Sequence, residues 1–115
     1  MSTNAYPVLF SSTLLGATNG TVYTVQSSPT TITLQDLQLK LTNVTAATRT
    51  VTIYAVPPSG SPDPSNAVAI EMSIPPYDYV ILPVERLAAG GSIQGLASAA
   101  ASVNISPIGG KLHTP

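Results

Sequence analysis

The chain reads as an all-β protein: a two-sheet antiparallel β-sandwich, jelly-roll or immunoglobulin-like, of seven to eight short strands. Three observations predict this. Thr and Ser are abundant, at 14 and 13 residues, and a branched Cβ such as that of Thr, Val or Ile suits a pleated, half-buried surface. Eleven Pro and eight Gly interrupt the chain too often for long helices. Apolar and polar residues alternate in short runs separated by turn signals roughly 8–15 residues apart, the rhythm of a sandwich. The 115 residues fit one domain with a real core. That domain is expected over 1–115, with 1–10 as a possible extended N-terminal arm and 109–115 as an extended C-terminal tail.

The elements follow in order. Tyr6–Phe10 is a short apolar stretch after a polar start, a first strand or part of the arm. Gly16 and Asn19-Gly20 mark a turn. Thr21–Val25 is a short strand, broken by Gln26–Thr30. Leu37, Leu39 and Leu41 then alternate with Gln38, Lys40 and Thr42, the period of two of a half-buried strand. Ile32 and Leu34 belong to the opposite phase, so a strand through both groups needs a bulge or break near Gln35-Asp36. After an Asn43–Thr48 loop, Val51, Ile53 and Ala55 alternate with polar neighbours. The expectation is a long hairpin pairing about 37–43 with 50–56.

Pro57–Asn66 holds four prolines and a glycine and reads as a surface loop. In Ala67–Ile74, Val68, Ile70, Met72 and Ile74 form one phase. Pro75–Asp78 turns the chain. Tyr79–Pro83 is almost continuously apolar, as suits a strand covered on both faces. Leu87–Gly91 is a turn, and Ser92–Ala97 and Ser102–Ile108 are the last strands. A short helix over Gly95–Ala101 competes there, because Ala is the best helix former. The expected core is Ile32, Leu37, Leu39, Leu41, Val51, Ile53, Ile70, Met72, Ile74, Ile81, Ile93, Val103 and Ile105.

Charge is scarce. Asp, Glu, Lys and Arg make up 8% of the chain, against about 25% in ordinary domains. A surface packed against other copies, or against a shell, does not need charge to stay dispersed. The four basic residues are scattered, so the basic patch of a nucleic-acid binder is missing and no cluster recommends an anionic membrane. No apolar run approaches the roughly 18 residues of a membrane span, and Met1–Pro7 lacks the marks of a signal peptide. No cysteine is present to form a disulfide or a thiolate metal site.

No constellation for chemistry stands out, and the expectation is a protein that is not an enzyme and carries no cofactor. His113, the single histidine, sits near the end in a Gly-rich tail, where positioning for catalysis is poor. The acids lie at turns or on exposed phases, and Glu85-Arg86 reads as a local ion pair. Asp63, Ser65 and Asn66 offer oxygens but lack the acidic density of a calcium loop. The Asn19, Asn43 and Asn104 sequons are expected by chance in so Ser/Thr-rich a chain. Partner binding is the remaining chemistry. Tyr6, Val8 and Phe10 on the uncharged arm, and Tyr77 and Tyr79 flanking Asp78, are the candidate contact residues, since Tyr offers area with a polar tip.

Ser73-Ile-Pro-Pro-Tyr-Asp-Tyr79, Leu87-Ala-Ala-Gly-Gly-Ser-Ile-Gln-Gly-Leu-Ala-Ser98 and Ala101–Ser106 follow the Leu39–Asn43 and Thr50–Tyr54 strands. Over about residues 20–108 this resembles small β-sandwich virion proteins of tailed bacteriophages, with Gly91 standing where such turns often carry an acid. The resemblance implies a head-decoration (cement) protein, or else a tail, baseplate or fibre part that binds host glycan. It implies a homo-oligomer, with a trimer favoured, bound to a major capsid protein or another virion protein. The location implied is the virion, assembled in the host cytoplasm.

Overall fold

The computed structural model describes residues 2–115, so Met1, the first residue of the expected arm, lies outside the described residues. The clearest sequence signal was the phase inversion before Leu37, and it has a physical counterpart. One strand, β4, runs from Thr33 to Asn43 with Leu34 and Leu37 both buried. Asp36 between them takes a left-handed φ of 57°. That conformation costs an L-residue roughly 1–2 kcal/mol, least for a short polar side chain such as Asp. Burying a leucine on each side of it is worth about 1.5–3 kcal/mol apiece.

The inversion is not a bulge. β4 lies between β7 (Tyr79–Ala88) and β9 (Val103–Thr114), and its register with both is the same on either side of Asp36. No residue is gained because the neighbours invert at the same level. Val84 and Leu87 are both buried on β7, and Gly109 and Gly110 take φ of 66° and 87° on β9. The result is a crease across three strands that keeps the ladder continuous while returning every apolar phase to the core.

Three short strands complete the first half: β1 (Thr3–Ala5), β2 (Thr13–Leu14) and β3 (Gly20–Thr24). The remaining ones are β5 (Arg49–Val56), β6 (Ala67–Ile74) and β8 (Ser92–Ala97). One sheet has the order β1-β9-β4-β7, with β2 also on β9, and the other has the order β3-β8-β5-β6. The pairs β2–β9, β3–β8, β4–β7 and β5–β6 are those of a single long ribbon folded at the β5–β6 loop and rolled up. Lateral pairs β9–β4 and β8–β5 close the roll. This is a jelly roll rather than an immunoglobulin-like sandwich.

Four sequence expectations need correction. The hairpin of 37–43 with 50–56 does not form, because β4 and β5 lie in different sheets and the loop after Asn43 is a crossover. Ile70 is 58% exposed: Glu71 takes φ 46° and the register slips between Val51 and Ile53, turning that phase outward. Ile81 is 44% exposed because it shares the phase of Lys40 and Ser106, which points away from the core on a sheet covered on one face only. The last strand continues to Thr114, so the expected tail at 109–115 is mostly ladder, paired to β4 and β1. The stretch around Gly95–Ala101 is strand followed by a turn. Leu15, Val25, Leu34, Leu82, Val84, Leu87 and Leu112 join the core alongside the expected residues.

Asn43 pins the crossover. It is fully buried, and its amide donates to the carbonyls of Ala47 (2.7 Å), Ile74 (3.0 Å) and Pro75 (3.2 Å). Its Oδ1 accepts from the Thr45 N–H and hydroxyl at 2.9 and 2.7 Å. Every hydrogen-bonding position of the side chain is used, which ties the loop after β4 to the turn before β7.

Candidate partner-binding surface

The candidate contact residues separate into two places. Tyr79 starts β7, level with Thr42 and Asn104. Tyr6 follows β1, which pairs with the far end of β9 at Leu112. From Thr42 to the crease at Asp36 alone is about 20 Å at ~3.3 Å per residue, so Tyr6 and Tyr79 lie far apart along an elongated molecule, 49 × 25 × 18 Å, with Phe10 between their levels. Tyr6 and Val8 are exposed, Val8 at 85%. Phe10 differs: it is half-buried, and its ring centroid lies 6.0 Å from that of Tyr23. Burial also pushes the Tyr23 hydroxyl above its ordinary pKa. Phe10 therefore anchors the arm to the body.

Tyr77 and Tyr79 are both exposed at the β6–β7 turn. Tyr77 takes a left-handed φ of 55°, and its N–H donates to the Thr45 carbonyl. The Asp78 carboxylate accepts from the Tyr79 N–H at 2.8 Å. The Lys40 ammonium stands 4.7 Å from the centre of the Tyr79 ring, a cation–π contact.

Tyr79 belongs to a larger surface. Leu39 and Leu41 face the core, so the alternate residues of β4 and their cross-strand partners face outward. Three rows result. They are Leu14–Asn104–Thr42–Tyr79, Ser106–Lys40–Ile81 and Ile108–Gln38–Pro83. Leu14, Tyr79, Ile81 and Ile108 are all exposed there, and Lys40 is the sole charge in the ten positions. Apolar residues grouped in this way mark interaction surfaces in soluble proteins.

Sequence reasoning missed Leu14, Ile81 and Ile108 on this face. A signal for β7 was available: Tyr79, Ile81 and Pro83 form one apolar phase and Val80, Leu82 and Val84 the other. Both phases ask to be covered, and the fold covers one. Leu14 and Ile108 stand in no such alternation, and only strand pairing brings them into line.

Titratable groups do not gather. Among the described residues no cluster of three His, Asp or Glu is placed to hold a metal, and the ion pair present is Lys111–Asp36 at 3.6 Å, at the crease. Glu85 and Arg86, both exposed at the crease, do not form the expected pair. Asp63 instead caps the 3-10 turn Pro64–Asn66, accepting from the Ser65 N–H at 2.9 Å. That hydrogen bond holds its carboxyl below the usual carboxylate range. His113 lies beside Asn4, with Nδ1 2.7 Å from the amide oxygen.

No protein-family model matches the chain, and no curated protein matches it in sequence. Solved structures do match in fold. A chain in the structure of infectious bursal disease virus, Gx strain, superposes with a TM-score of 0.54 over 98% of this chain at 13% identity. The Gt strain of the same virus gives 0.52 over 97%, also at 13% identity. This chain spans 33% and 31% of those two chains.

Proposed function

We propose that the chain is a structural component of a virus particle. In its specific form the reading is a head-decoration (cement) protein that sits on the shell as a homo-oligomer, a trimer by the bacteriophage resemblance, and braces neighbouring subunits. The observation that carries it is the β7 strand, apolar in both phases with only one phase covered by its own fold. The outer face of the β1-β9-β4-β7 sheet would then be the contact face toward a major capsid protein or another virion protein. Jelly rolls recur in viral capsid domains, and both structural neighbours come from a virus. A fold alone does not assign a role, so the exposed face and the scarcity of charge bear the weight. The reading invokes no catalysis and places the protein in the virion.

Quantitative mass spectrometry of purified particles tests it. A decoration protein is present in hundreds of copies per particle, and purified protein rebinds particles that lack it. A count of a few copies sinks the head reading and moves the protein to the tail. A tail, baseplate or fibre module that binds host glycan is the second reading, favoured by the exposed Tyr77 and Tyr79 around a turn. It requires direct binding of purified protein to host cells, weakened by Tyr77→Ala.

A further inference from the structure

Residues 3–14 run along one edge of β9 as a single interrupted strand. β1 sets Ala5 opposite Leu112, and β2 sets Thr13 opposite Ile105. Between them the seven residues Tyr6–Ser12 span the six residues Ser106–Lys111. With one residue too many for a continuous ladder, the segment bows away from the edge. Pro7 and Pro107 lack the N–H groups a ladder would use, and Gly109 and Gly110 bend β9 at the crease. A groove of about 530 Å³ opens between the bow and β9, lined by Tyr6, Val8, Leu9, Pro107 and Gly110 among others. None of Tyr6–Ser12 is paired with β9 in the ladder.

We propose that β1 is exchanged between copies of this chain. Thr3–Ala5 of one copy pairs with the end of β9 of a second copy, and Tyr6–Val8, ahead of the anchoring Leu9 and Phe10, is the hinge. The occupant of that edge is a second copy because the edge is already matched to this sequence. The Thr3–Thr114 register and the Asn4–His113 contact are the same within one chain and between two. Exchange of an identical element loses no contacts and is an inexpensive route to oligomers. The attachment within one chain is slight: three exposed residues, followed by a hinge that leaves Tyr6 and Val8 in water. The first 35 residues carry no charged side chain, so two arms can cross without repulsion. The inference concerns the purified protein and stands apart from the virion reading.

The absence of cysteine makes the test clean. Full-length Asn4→Cys and His113→Cys chains are prepared separately, mixed at high concentration, refolded together and oxidised. Exchange gives a disulfide-linked heterodimer joining positions 4 and 113 as the main cross-linked product, identified by peptide mass mapping. Pairing within one chain cannot form that bond, because neither chain carries both cysteines. The Asn4→Cys/His113→Cys double variant gives the complementary reading: chains linked to one another on a non-reducing gel if β1 exchanges, a closed monomer if it does not. Thermal melts matching the parent protein certify that the variants fold. A mixture without the heterodimer, together with a double variant that closes only on itself, overturns the proposal.

Discussion

The two sheets have similar inner faces and different outer ones. Outward on the β3-β8-β5-β6 sheet stand exposed Thr21, half-buried Thr50, Gln94, Tyr54 and Leu96, buried Thr52, and one exposed apolar residue, Ile70 on β6. Two of the polar side chains there are already used. The Thr52 hydroxyl accepts from the Glu71 N–H at 3.0 Å, and the Gln94 amide bridges Asn19 and Ser92 at 2.9 Å each. Outward on the β1-β9-β4-β7 sheet stand Leu14, Tyr79, Ile81, Pro83 and Ile108 around one lysine. Ile70 apart, the first face is finished by its own chain. The second leaves a group of apolar residues exposed, and on the proposed reading that is the difference between a surface that meets water and one that meets protein.

The largest effect falls on the device that joins the two sheets. Asn43→Ala strips partners from buried carbonyls and N–H groups at about 1–3 kcal/mol each, so the variant should lose about 3 kcal/mol in urea unfolding. A loss below ~1 kcal/mol would show that Asn43 does not hold the crossover. Next comes the contrast of the faces themselves. Ile81→Asp should weaken attachment to particles at least about thirtyfold, the ~2 kcal/mol of an interface hot spot, with folding stability within about 0.5 kcal/mol of the parent. Thr21→Asp, on the other sheet, should leave both measurements unchanged. Equal losses from the two substitutions would erase the distinction between the faces.

Lys40→Met removes the sole charge of the apolar face and its contact with Tyr79, worth roughly 0.5–1 kcal/mol. Light scattering should register self-association at lower protein concentration than for the parent. Unchanged scattering would mean that Lys40 does not keep this face apart from other copies. The smallest effect is a pH response on the β6 side. Asp63 has a lowered pKa in the folded chain, so its capping is complete at neutral pH and is lost as pH falls through that lowered value. An NMR titration of Asp63 should give a midpoint below that of an unstructured aspartate, and Asp63→Asn should remove only this local response.

Much of the fold was legible because alternation reports which side of a strand is buried. The Leu37–Leu41 phase, the inversion at Asp36, the Pro57–Asn66 loop and the Ser92–Ala97 strand can all be read from neighbouring residues. Ile70 and Ile81 could not. Each is an apolar residue in an apolar phase, and what exposes it is a slipped register in one case and the uncovered outer face of its sheet in the other. Tyr77 and Tyr79 were legible as exposed from their turn. Ile108 was not, because only strand pairing sets it in line with Gln38 and Pro83.

By itself the sequence determined the fold class, the scarcity of charge, the place where β4 changes phase, and the double apolar character of β7. All of these are local, set by residue type and by spacings of one to three positions. The tertiary structure alone decided which strands pair, that β4 and β5 part into different sheets, and which apolar phase of β7 faces out. It also decided that the end of β9 is a strand. Strand pairing joins residues far apart in the chain, such as Thr3 with Thr114. Alternation specifies a face and never a partner, so that information exists only once the ribbon has rolled up.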